Sequence, residues 1–185
     1  MPQARVNGLD IEYTVQGRGE PLLLIMGLGA QLVYWPDGFC EALGHRGFQV
    51  IRFDNRDVGL SSKLSGAPPP DIRRIIAARL LGRPLRVPYL LDDMADDAAA
   101  LITHLGIPRA HVLGVSMGGM IAQVLASRHP RRVATLTSVM SHAGQRRHML
   151  ARPAALRVLL GAAPRTREQA QDRAEVFYRT VGSRG

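Results

Sequence analysis

Gly114-Val115-Ser116-Met117-Gly118 sets one serine between two glycines where an apolar run gives way to a helical pattern. A serine on such a tight strand-to-helix turn is held in strained backbone geometry with its hydroxyl pushed clear of the sheet. Glycine two places to either side lets neighbouring backbone pass too closely for a side chain. In a chain with 19 glycines the spacing alone is a weak sign, so the flanking residues carry the reading. Ahead of the serine, His111-Val112-Leu113-Gly114-Val115 follows the break Gly106-Ile107-Pro108 and reads as a short buried strand. Behind it, Met117, Met120, Ile121, Val124 and Leu125 recur at helical spacing, and Pro130 stops the run after Arg128 and His129. Strand, elbow and helix make Ser116 a candidate nucleophile; the plainer alternative is a glycine-rich turn with an incidental serine.

Working outward, Pro21-Leu22-Leu23-Leu24-Ile25-Met26 is a continuous apolar run ending at Gly27, the pattern of a strand covered on both faces. Arg5 to Gln16 reads as two β-like runs about Asn7-Gly8, a hairpin signal. A helix is expected over Asp37 to His45 and a strand over Phe48 to Phe53, followed by the polar turn Asp54-Asn55-Arg56-Asp57-Val58-Gly59. Residues 65–89 carry Pro68-Pro69-Pro70, Pro84 and Pro88 around an Arg-rich segment of helical character, Ile72 to Leu81. Leu91 to Leu105 reads as a helix with Asp92, Asp93, Asp96 and Asp97 near its positive N-terminal end and Gly106 beyond it. Those aspartates read as a solvated acidic turn rather than a metal cluster, because no histidine stands at ligand spacing among them. Val133 to Met140 gives the last strand, and Ala151 to Tyr178 reads as helical. The alternation predicts an α/β fold, a mostly parallel sheet with flanking helices on both faces.

Composition narrows the function classes. Hydrophobic residues at 46% and charged residues at 21% are ordinary for a soluble globular domain. Cys40, the one cysteine, cannot close an intramolecular disulfide and is expected as a buried, inert thiol. The first residues lack an apolar signal core and no run approaches a membrane span, which reads as a cytoplasmic protein with no membrane partner. The net charge of +9 is uneven: residues 1–71 carry six Lys+Arg against eight acids, residues 72–140 nine against four, and residues 141–185 nine against three. With 23 arginines, one lysine and no basic-aromatic interleaving, the excess reads as a solvated face, or as charge that further residues would balance. No nucleic-acid partner is expected.

Several segments resemble the α/β-hydrolase fold superfamily, and within it the small esterase-like branch that includes aclacinomycin-type methylesterases. They are Leu23-Leu24-Ile25-Met26-Gly27-Leu28-Gly29, Trp35-Pro36, Val50 to Ser61, Asp92 to Asp97, Gly114 to Gln123 and His129 to Val133, in order over about residues 8–142. The resemblance implies that residues 1–142 form the N-terminal part of the hydrolase core and residues 143–185 the start of a helical cap. It implies Ser116 as catalytic nucleophile, the N–H groups of Leu28 and Met117 as oxyanion hole, and neither cofactor nor metal. It also implies a structural role beside the site for the Asp54 to Ser61 turn, whose plain and preferred reading is a capped turn. Trp35 and Pro36 fit a pocket entrance or core packing equally. One departure stands out: relatives often have histidine before the loop glycine, and here it is Met26.

The base is the missing piece. Serine needs a histidine to take its proton and a carboxylate to orient that histidine, in the family order serine, acid, histidine. After Ser116 no Asp or Glu occurs before Glu168, while the last histidines are His142 and His148. His104, His111 and His129 flank the elbow and are poor substitutes; His142, after the last strand, is the best one. The preferred expectation is a fragment ending before the strands that carry acid and base. The expected function is hydrolysis of a small-molecule, fairly apolar carboxylic ester. Lactone or carbon–carbon bond hydrolysis, or a non-catalytic ligand- or partner-binding role, are the alternatives.

Overall fold

Asn7 (φ 49) and Gly8 (φ 77) both take left-handed backbone, as a two-residue hairpin turn requires. They join β1 (Gln3–Val6) to β2 (Leu9–Gln16) with Val6 opposite Leu9. The computed structural model describes residues 1–64, 87–144, 157 and 166–181. Further strands are β3 (Glu20–Ile25), β4 (Phe48–Phe53), β5 (Ala110–Val115) and β6 (Val133–Val139). They form one sheet in the order β1-β2-β4-β3-β5-β6. β4, β3, β5 and β6 run parallel, while β1 and β2 are antiparallel to their neighbours.

The apolar run of β3 lies near the middle of the sheet and is covered on both faces. Successive strand residues point to opposite faces, so Leu23 and Ile25 join Ile51, Phe53 and Val112 in one apolar layer, while Leu22, Leu24 and Val50 join the other. The first layer is closed by α2 (Leu91–His104) through Ala95, Ala98 and Leu101 and by α3 (Met117–Arg128) through Ile121 and Leu125. The second layer holds Trp35 and Cys40, the latter on α1 (Asp37–His45). Each fully buried Leu or Ile contributes roughly 1.5–3 kcal/mol relative to exposure. Trp35 is therefore a core residue, stacked on Phe39 at 5.8 Å, and the pocket-entrance alternative for it is set aside; Pro36 is exposed. Cys40 is buried as expected, and desolvation pushes its thiol up.

The four aspartates of α2 do not share one environment. Asp92 and Asp96 face solvent and hold Arg128, and Asp93 accepts the Leu90 N–H at 2.7 Å across the start of the helix. Asp97 corrects the solvated-turn expectation: its side chain is 2% exposed. One residue advances a helix by about 100°, which carries Asp97 from the exposed side of Asp96 onto the packed side. There Arg56 donates to both carboxylate oxygens, at 2.7 and 2.8 Å, and Asn7 donates at 3.0 Å. The guanidinium also donates to the Asp93 carbonyl at 3.2 Å and lies 5.2 Å from the Tyr89 ring centroid. This network ties the β1–β2 turn, the loop after β4 and α2 together.

The chain divides into two compact units, Met1–Ala143 and Gly144–Gly185. In the second, α4 (Arg167–Val181) carries an exposed Glu175–Arg179 ion pair at 2.7 Å. The expected helical segment Ile72 to Leu81 and much of the expected helix Ala151 to Tyr178 lie outside the described residues. Among the described residues, no helix is long and apolar enough to cross a membrane.

Two predictions arise from the Arg56 network. Asp97→Ala leaves a mostly buried guanidinium without its carboxylate and should cost about 3–5 kcal/mol in urea unfolding, whereas Asp92→Ala at the exposed pair should cost about 1 kcal/mol or less. Burial, reinforced by the hydrogen bond to Asp57, pushes the Tyr89 phenol up to about 12. Below an ordinary tyrosine pKa of about 10 this contribution to stability is complete, and it is lost as pH rises through that window because the unfolded chain releases the proton first. The stability gap between wild type and Tyr89→Phe should accordingly narrow above about pH 10; a gap independent of pH would contradict this.

Candidate active site

β5 delivers the chain to Ser116, whose backbone sits at φ 57, ψ −122. This sparsely populated region costs on the order of 1–3 kcal/mol for a residue with a side chain and persists only where surroundings impose it. The surroundings are explicit: the Ser116 N–H donates to the Val139 carbonyl of β6 at 2.9 Å. Its carbonyl accepts the Gly119 N–H at 2.9 Å and the Met120 N–H at 3.3 Å, opening α3. The flanking glycines allow close approach, as the spacing implies. A Cβ on Gly114 would strike the Gly118 carbonyl, and one on Gly118 would strike the Ile25 carbonyl and come within 2.6 Å of the Met26 oxygen. The first turn of α3 therefore lies against the end of β3.

The loop leaving β3 starts beside the serine. A Cβ on Gly27 would be 3.2 Å from the Ser116 Cβ and 3.7 Å from its Oγ. Gly27 to Ala30 is a turn closed by the Ala30 N–H on the Gly27 carbonyl at 3.2 Å, with Gly29 at φ 67. That is a type II pattern, in which the N–H of the second residue, Leu28, takes no part in the closing bond. Met117 opens α3, so its N–H has no carbonyl a turn earlier in the helix and lies at the positive dipole end. Gly27, Ser116 and the start of α3 are thus brought together, with Leu28 one residue beyond the contact.

Two residues of the Asp54 to Ser61 turn bond to the loop that leaves β3, partners the sequence reading did not name. Asn55 Nδ2 donates to the Met26 carbonyl at 3.1 Å, and Asp54 Oδ1 accepts the Leu32 N–H at 2.6 Å. Both side chains are buried, and both come from the turn after β4, for which the sequence resemblance implies a structural role without giving either residue's partner.

The histidines are distributed as follows. His111 is the second residue of β5, five residues from Ser116, and meets the Thr135 hydroxyl at 2.8 Å. His129 lies beyond the far end of α3, with Nε2 2.7 Å from Asp96 Oδ1; the hydrogen bond from His129 and the nearby Arg128 hold the Asp96 carboxyl below its ordinary range. Twelve residues of helix, at 1.5 Å each, put roughly 18 Å between the ends of α3, so this acid–histidine pair cannot serve Ser116. His104 ends α2 and packs edge-on to Tyr13. His142 follows β6 by three residues from Val139, whose carbonyl binds the Ser116 N–H, and so lies at the serine's end of the sheet. Among the described residues no three His, Cys, Asp or Glu side chains gather as a metal-holding group.

Comparison with known proteins agrees with this architecture. Residues 20–179 match the family described as the alpha/beta hydrolase fold. Rhodomycin D methylesterase DnrP of Streptomyces peucetius is 34% identical over 147 residues, which are 77% of this chain and 43% of that protein. The enol-lactonase from Burkholderia xenovorans LB400 is 30% identical with a TM-score of 0.55, over 71% of this chain and 44% of its own. The meta-cleavage product hydrolase from Pseudomonas fluorescens IP01, at 19% identity, shares the fold with a TM-score of 0.72 over 95% of this chain and 56% of its own. The chain spans less than half the length of curated relatives it matches. With its mostly parallel sheet, strained serine elbow and matched sequence, the chain belongs to the alpha/beta hydrolase fold family.

Proposed function

We propose that this chain carries the nucleophile half of a serine hydrolase acting on a small, fairly apolar carboxylic ester. Ser116 is the nucleophile, and the N–H groups of Leu28 and Met117 form the oxyanion hole. The observation that carries the reading is the strained Ser116 turn with Gly27 packed against it. In this mechanism Oγ bonds to the ester carbonyl carbon, and the carbonyl electron pair moves onto oxygen between the two N–H groups. Collapse expels the alcohol, and water then releases the acid from Ser116. Each aimed donor lowers the barrier by roughly 3 kcal/mol, because its dipole is in place before charge develops.

The Oγ proton needs a base. In this reading the histidine and its carboxylate come from residues beyond Gly185, and residues 143–185 are the start of a helical cap. Among the described residues β6 is an edge strand, with Leu136 and Val139 40% and 37% exposed, which supports further strands pairing there. A methylesterase among the relatives supports ester chemistry; the enol-lactonase keeps lactone hydrolysis as the second reading.

In a longer form of the protein that supplies acid and histidine, a fluorophosphonate should add once, and Ser116→Ala should abolish the adduct in intact-mass spectra. Equal labelling of both would remove Ser116 from the mechanism. Residues 1–185 alone should turn over p-nitrophenyl acetate at background, since loss of a triad histidine costs about 10⁶ in kcat. A Ser116-dependent rate in this chain that His142→Ala abolishes would instead make His142 the base.

A further inference from the structure

The oxyanion loop cannot aim itself. Between Met26 and Leu32 its one internal backbone bond is the Gly27–Ala30 turn, two of its residues are glycine, and Leu28 is 65% exposed. An oxyanion donor must sit about 2.7–3.1 Å from the developing charge, and glycine at the first turn position leaves the following peptide plane free to swing. Something outside the loop has to set that plane.

We infer that Asn55 and Asp54 are positioning residues for the oxyanion hole, clamping both ends of the loop that carries Leu28; this rests on the reading of Leu28 as a donor. A carbonyl only accepts, so the Asn55 amide nitrogen is the group facing Met26, at 3.1 Å. That bond fixes the Met26–Gly27 peptide plane, and only the two torsions of Gly27 separate it from the plane holding the Leu28 N–H. The same Met26 oxygen lies 2.6 Å from where a Gly118 Cβ would stand. One atom thereby registers the loop against the first turn of α3, which presents the Met117 N–H. At the other end, Asp54 Oδ1 holds the Leu32 N–H at 2.6 Å.

The clamp is itself rigid. Asp54 Oδ2 accepts the Leu60 N–H at 3.0 Å, its carbonyl accepts the Ser61 hydroxyl at 2.7 Å, and its N–H donates to the Glu12 carbonyl at 3.0 Å. Ser61 Oγ in turn accepts the Glu12 N–H at 2.9 Å. Asp54 and Asn55 are 3% and 2% exposed, so water cannot replace either bond without a cavity. The thioether of Met26 offers the loop no comparable hydrogen bond; its carbonyl does.

The test uses the longer, active form with p-nitrophenyl acetate and its thionoester. Sulfur is the poorer hydrogen-bond acceptor, so an aimed oxyanion hole favours the oxygen ester, and the ratio of the two kcat values reads the aim. Asn55→Leu, similar in size but without the donor, should lower kcat for the oxygen ester by about tenfold to a hundredfold with KM within about twofold, and should erode the oxygen-over-sulfur ratio. Asp54→Asn, which keeps the shape and one acceptor, should give a smaller change in the same direction. Should Asn55→Leu not fold, Asn55→Ala and Asp54→Asn carry the same readout. If Ser116→Ala abolishes turnover while the folded Asn55 and Asp54 variants keep the wild-type ratio, the clamp is overturned and the site stands. If Ser116→Ala retains turnover, the site reading fails and takes the clamp with it.

Discussion

The approach of α3 to the end of β3 is the constraint on which the molecule depends. It exists because Gly118 has no Cβ to keep the Ile25 and Met26 carbonyls away, and Gly114 none to keep Gly118 away. Once the helix starts there, the link between β5 and α3 must close in one residue, and Ser116 takes φ 57 to do so. The strain is sustained by bonds on both sides, from Val139 in β6 and from the first turn of the helix. A residue so constrained has little freedom to retract its hydroxyl into the sheet. Backbone geometry, rather than any particular neighbouring side chain, presents the serine.

Rigidity around this elbow is supplied in layers. Packing on both faces of β3 holds the strand that ends at the site. The β2 backbone, through Glu12, holds the turn after β4. That turn contributes Asp54 and Asn55 to the loop after β3 and Arg56 to the buried carboxylate of Asp97 on α2. Four consecutive turn residues, Asp54 to Asp57, thus reach the loop after β3, α2, Tyr89 and the Leu64 N–H. Buried polar groups of this kind cost desolvation and are tolerated because almost all their bonding capacity is met. Their presence beside the serine end of the sheet gives a loop made of glycines a fixed frame.

The elements themselves were legible from local pattern. The hairpin at Asn7-Gly8, the apolar β3, the strand β4, the helix α2 and the strand–serine–helix unit all form where expected. Asp97 was misread because four aspartates in six positions look alike in one dimension, while helical phase turns one of them inward against an arginine 41 residues away. Trp35 stayed ambiguous for a similar reason, since an indole beside a proline suits an entrance or a core until its neighbours are known.

By itself, the sequence determined which segments become strands and helices, and that one serine stands on a glycine-flanked elbow, because periodicity and the sterics of glycine act over a few residues. Tertiary structure alone decided that Gly27 meets that serine, that the His129–Asp96 pair lies at the wrong end of α3, and that Asn55 and Asp54 grip the neighbouring loop. Those relations join segments 22 to 89 residues apart. They follow from strand order and register, which no local pattern encodes.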